Sequence, residues 1–182
     1  MVEILKYNDD NLRDDEIDEV SLRVKAFIIS SKNNVLIGRD DEGYKLLETS
    51  VAPDEDIIVK LKNAIYLETG IALDAKDSLE PFYEVRYYNK DYKGTGINRL
   101  SDTIYFLIKS DKLPNYKKLR LTAEEMLKKL PIEIIRRSQF ARVLTEYVET
   151  EQNVLYKTKT KEILLAFEKL KDIPTGAEIL KR

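Results

Sequence analysis

The chain contains neither histidine nor cysteine. That excludes a Ser-His-Asp triad, a thiol nucleophile and any imidazole or thiolate metal ligand. Carboxylates, Lys and Tyr remain as the groups able to act as a general base. Glu55 and Glu68 stand out, in the segment TSVAPDEDIIVKLKNAIYLETGI at 49–71. Glu68 falls near the middle of an apolar stripe at helical spacing, made by Ile57, Ile58, Leu61, Ala64 and Ile65. A carboxylate there needs a partner or a solvated pocket. It is either a ligand for a metal or phosphate group or a structural Glu bonded to the backbone of the neighbouring 48–52 loop. A second group of chemistry-bearing residues is Tyr87, Tyr88, Lys90, Tyr92, Lys93 and Arg99. Aromatics interleaved with cations can stack a base and pair phosphates, and Tyr88, Tyr92, Lys93 and Arg99 are the candidate ligand contacts. The same residues also read as ordinary strand tyrosines beside a solubilised loop.

Several elements must position these groups. The spacing predicts a helix over 54–69, capped by Asp54 and stopped by Gly70 in the left-handed conformation. SLRVKAFIIS at 21–30 and NNVLIGR at 33–39 read as strands. Residues 81–110 read as a hairpin around the turn-forming NKDYKGTGINR. Thr122-Ala123-Glu124-Glu125 is a capping box for a short helix. Pro131 is expected to open the next helix, running to about Tyr147. A last helix, roughly 156–171, is rich in Lys and packs on the core or on a partner chain, and the closing ILKR is expected to be loose.

The 49–71 segment resembles a degraded Nudix box. The family pattern is G-x5-E-x7-R-E-U-x-E-E-x-G-U, with U aliphatic. Without a gap, Glu55, Ile65, Glu68, Gly70 and Ile71 stand at its first Glu, first U, last Glu, second Gly and final U. Thr49 replaces the first Gly, Asn63 the Arg, Ala64 the next Glu, and Leu67 the first member of the Glu pair. The resemblance spans roughly residues 20–130. It implies an α/β (α+β) fold, a mixed sheet flanked by helices, with an acidic leader over 1–20, the Nudix-like domain over 21–150 and a helical extension over 151–182.

Nudix enzymes hydrolyse a nucleoside diphosphate linked to another group, using Mg2+ or Mn2+. Hard cations need oxygen ligands, and a helix presents them at i, i+3 and i+4. Here that triplet is Ala64, Leu67 and Glu68, so one carboxylate survives, and Glu55 lacks the Arg that braces it in the family. The resemblance therefore implies weak or absent hydrolysis, with the chain acting as a binder of a nucleotide-like ligand or as an interaction scaffold. The catalytic positions that remain are Glu68 and Glu55, and no cofactor is required. The alternative is an active Mg2+- or Mn2+-dependent pyrophosphohydrolase with relocated ligands, Glu68 joined by Glu55, Glu48 or Asp102.

Bulk properties agree with one domain carrying an appendage. The 182 residues are 35% charged and 43% hydrophobic, with a net charge of −2. Near-neutral, mixed charge and the lack of a recognition motif argue against nucleic acid as partner. No apolar run is long enough to span a membrane, which makes cytoplasm the expected location, and the resemblance leaves a homodimer open. The acidic run Asp9–Glu19 reads as a solvated leader.

Overall fold

The computed structural model describes residues 2–171 and residue 173, so the closing ILKR lies outside the described residues. Eight strands form one mixed sheet. Strand β1 (Glu3–Tyr7) is an edge, parallel to β6 (Ser78–Asn89). β6 is antiparallel to β7 (Arg99–Lys109), which runs parallel to the whole of β2 (Glu19–Ile29). The other side of β2 is divided. Leu22–Ala26 pair with β5 (Leu47–Val51), while Ile28 and Ile29 pair with β3 (Asn34–Asp40). β3 also pairs with β4 (Gly43–Lys45) and β8 (Ile132–Arg136).

The central strands are apolar without alternation because both faces are covered. On one face Val24, Ala26, Ile28, Phe106 and Ile108 pack against Leu61 and Ile65 of helix α1 (Ile57–Thr69). On the other, Phe27, Ile29 and Leu107 meet α3 (Arg137–Thr150) and α4 (Val154–Lys169) through Phe140, Leu144 and Phe167. Phe27, Phe140 and Phe167 form a three-ring cluster with centroids 4.4–6.1 Å apart. The basic helix of the C-terminal extension thus completes the core of its own chain. Among the described residues no helix is long and apolar enough to cross a membrane.

Three expectations need correction. The segment after Pro131 is a strand, not the start of a helix. Ile132, Ile134 and Ile135 are β-branched, and they meet the open edge of β3, where Arg39 N–H also bonds Pro131 O at 2.8 Å. Helix α3 starts only at Arg137. The N-cap of α1 is Asp56, whose carboxylate accepts from Val59 N–H at 2.8 Å, in place of Asp54. The first twenty residues are more than a solvated leader. They supply β1, and their acidic stretch grips the β6–β7 loop: Asn98 donates its backbone N–H to Asp18 and its side-chain amide to Glu16 O, and the Tyr88 hydroxyl donates to Asp14 at 3.1 Å. The capping box at Thr122 and Glu125 forms as expected, on the short helix α2 (Ala123–Leu127).

Candidate functional site

Helix α1 ends where Gly70 turns left-handed, at φ 73° and ψ 8°. Glu68, in its last turn, is half-buried and lines a cleft of about 1210 Å³ between the sheet and α4. Arg23, Lys25 and Glu48 line the sheet side, Leu127 and Leu130 one rim, and Leu155 and Glu162 of α4 the opposite wall. Glu48 is held by Arg23 at 2.9 Å and Lys25 at 3.1 Å. At the far end, the Arg39 guanidinium sits 4.5 Å from the ring of Tyr44 and 4.8 Å from that of Tyr147. The two rings meet edge to face at 5.4 Å. The sequence gives no sign of this Arg–aromatic group, because its members come from β3, β4 and α3.

The helix face that in the resemblance carries metal ligands is poor in oxygen here. Ala64 is half-buried and Leu67 is 60% exposed, leaving Glu68 as its carboxylate. Glu55 has found a different brace. Its carboxylate accepts from Ala52 N–H at 2.8 Å and from Lys60 at 2.5 Å, and these bonds hold its pKa below the ordinary value. Lys60, one turn before Ala64, therefore does what position 63 cannot. Among the described residues no three acidic groups converge on a point that could hold a metal ion. The donor set does not fit the divalent metal of the resemblance.

Asp102 does not line the cleft. Alternation along β7 puts it on the α1 face with Ile104 and Phe106, whereas Arg23 and Lys25 open onto the α4 face. It lies there with buried Glu84 and with Arg86, which bonds Glu84 and stands 3.6 Å from Asp102. One Asp102 oxygen is buried with no hydrogen-bond partner. Burial first, then the Glu84 charge, push the Asp102 pKa from 3.8 up to about 6, against the pull of Arg86. Between those values the folded chain binds a proton that the unfolded chain has released. The stability this supplies is present at low pH and is lost as pH rises through about 6. Asp102→Asn cannot ionise. It is expected to melt a few degrees above the parent at about pH 8 and level with it at about pH 4. An equal difference at both pH values, in parallel thermal melts, would refute the assignment.

The hairpin candidates separate by face. Tyr88 is buried on the α1 side, its hydroxyl spent on Asp14, and is not placed to meet a ligand. Arg99 lies on the α4 side, its guanidinium 4.6 Å from the Tyr92 ring, and Lys93 is 5.1 Å from that ring. Tyr92 and Arg99 are thus together, with Lys93 exposed at their edge.

No protein-family model matches the chain, and no curated protein matches it. Solved structures do. A MutT structure from work on Aliivibrio salmonicida and Vibrio cholerae is 13% identical, covering 77% of this chain and 94% of its own, with a TM-score of 0.45. The E. coli dihydroneopterin triphosphate pyrophosphohydrolase is 10% identical over 80% of this chain and 95% of its own, TM-score 0.47. A Deinococcus radiodurans protein is 16% identical over 85% and 86%, TM-score 0.49. The chain's own architecture has the expected form: a mixed sheet between helices, and the 49–71 segment laid out as strand, loop, helix and left-handed glycine turn. The chain has the α/β form that the resemblance implies, a mixed sheet with helices on both faces.

Proposed function

We propose that this protein binds a nucleotide-like ligand in the cleft between the sheet and α4 and hydrolyses it weakly or not at all. The observation that carries the reading is the state of the carboxylates. Glu68 is the one acidic group on the Ala64–Leu67–Glu68 face, Glu55 is engaged by Lys60, and Glu48 is engaged by Arg23 and Lys25. A hydrolase with relocated ligands would have to break those pairs, because Mg2+ or Mn2+ needs carboxylate oxygens beside the substrate phosphates. The cleft keeps features suited to binding. It is large, cationic groups face it from the sheet and from α4, and Leu127 and Leu155 give it an apolar rim.

The test is a panel of nucleoside di- and triphosphates and nucleotide sugars, assayed for thermal shift and for turnover, with and without Mg2+ or Mn2+. At saturation well above Kd, a ligand is expected to raise Tm by roughly 5–10 °C without turnover. Robust metal-dependent turnover, lost in Glu68→Gln, would establish the hydrolase instead. No shift with any member would leave the interaction-scaffold form of the reading in place of the binding form.

A further inference from the structure

We propose that the open sheet face beside the cleft is a slot for one flat heteroaromatic ring of a phosphate-bearing ligand, with Tyr87 as its wall, Ser101 and Thr103 as its floor, and Arg23 and Arg99 at its two ends. The proposal rests on the ligand-binding reading above and names the part of the ligand that gives it specificity.

Strand register maps this face. Tyr7, Tyr87, Ser101 and Ser21 lie in one row across β1, β6, β7 and β2. Leu5, Val85, Thr103, Arg23 and Ser50 form the next row, extended onto β5. The row after that, Tyr83, Tyr105, Lys25 and Glu48, lies under α4, whose Lys169 stands 5.8 Å from the Tyr83 ring. Val85 is buried in the core with Phe167 of α4, so the part of the face that α4 leaves open is the Tyr87–Ser101–Ser21 row with the Thr103–Arg23 end of the next, and it adjoins the cleft through Arg23.

Tyr7 and Tyr87 stack face to face, with centroids 4.6 Å apart and planes 8° apart. Tyr7 rises from β1, on the outer side of β6. The other face of the Tyr87 ring must then look inward, over β7. What stands there is small: Ser101 directly opposite, then Ser21 on β2. Side chains rising from β6 and β2 are two strand spacings apart, about 9.6 Å. A flat ring needs about 3.5–4 Å of separation on each side, so one ring fits over Ser101 and two do not.

Polar groups give the slot its chemistry. The hydroxyls of Ser21, Ser101 and Thr103 are half-exposed, and among the described residues they make no hydrogen bond within the protein. They can read the heteroatoms of a ring edge. Arg99 lies on the same face two residues before Ser101. Its Nε is buried without a partner, and no carboxylate pairs with it among the described residues. Arg23 lies diagonally opposite, holding Glu48 through one nitrogen. A cation at each end suits a ring with an attached phosphate, because Arg recognises phosphate oxygens in fixed geometry. Glu162 on α4 lines the adjoining cleft and offers a carboxylate acceptor there.

The test uses AMP, GMP, CMP and UMP as probes, with ribose 5-phosphate as the ringless control, by calorimetry on the full chain. Tyr87→Leu removes the wall and Ser101→Phe fills the floor. Each is expected to weaken the tightest nucleoside monophosphate by about tenfold, while Tyr87→Phe binds like the parent. Ribose 5-phosphate is expected to bind all forms alike to within about twofold, or too weakly to detect in any. Tyr87 is 41% exposed, so its variants are expected to fold, and they decide the matter if Ser101→Phe does not. Undiminished nucleotide binding in folded Tyr87→Leu, or equal loss of nucleotide and ribose 5-phosphate, overturns the slot and leaves the binding function standing. No binding of any nucleotide by the parent removes the binding function and the slot together.

Discussion

Gly70→Ala is expected to cost about 3 kcal/mol of stability, and Gly94→Ala about 1. The two glycines have the same φ of 73°, so an added methyl carries the same left-handed conformational cost at each. Their surroundings differ. A Cβ on Gly70 would lie 2.0 Å from the carbonyl oxygen of Asn115, whereas one on Gly94 would meet nothing within 4 Å. The crossing chain cannot simply step aside, because Asn115 N–H bonds Thr69 O at 2.7 Å and Gly70 N–H bonds Tyr66 O at 2.7 Å. Thr69 is buried and bonds Ile65 O and Ile71 N–H, so the end of α1 is fixed as well. For a domain of this size the Gly70 variant should melt roughly 10 °C lower and the Gly94 variant a few degrees lower. Equal losses in the two melts would show that the close approach at Asn115 contributes nothing. A larger loss at Gly70 identifies it as the point where the segment carrying Glu68 is anchored.

This glycine also shows what was readable from the chain alone. The end of α1, the β6–β7 hairpin and the Thr122 capping box are set by local chemistry, a few residues deciding a turn or a cap, and each forms where expected. Long-range pairing carries no such local mark. Ile132–Arg136 has apolar spacing that a helix and a strand share, and it passes into α3 without a Gly or Pro between them, so only the open edge of β3 selects the strand. EILKY at the N-terminus is short and exposed on both faces, yet it is placed by β6. The site follows the same rule. Glu68 falls at the cleft because helix phase fixes it, but Asp102 and Tyr88 fall on the face away from it, which depends on strand register. Lys60 as the brace for Glu55 was hidden too. It lies five residues away across the start of the helix, outside the spacings at which helix residues ordinarily pair.

That brace bears on what restoring the metal face should achieve. Ala64→Glu with Leu67→Glu places carboxylates at the i, i+3 and i+4 positions ending in Glu68. Leu67 is 60% exposed and Ala64 half-buried, so neither new carboxylate is forced into the core, and the double variant is expected to fold. Mn2+ affinity is expected to rise by at least about tenfold over the parent, because three convergent carboxylates replace one. Turnover is expected to lag. Thr49 lies within strand β5, paired with Val24, at the position where the resemblance has its first Gly. The carboxylate at position 64 also lies four residues from Lys60 and competes with Glu55 for it, loosening the 52–55 loop that Lys60 now holds. Mn2+ calorimetry and a pyrophosphohydrolase assay on the same preparations separate the two steps. Tight metal binding without turnover places the remaining defect in the loop. Folded protein with no gain in metal affinity would mean that the three positions do not serve one ion, and that the likeness of α1 to a metal-bearing Nudix helix ends at its backbone.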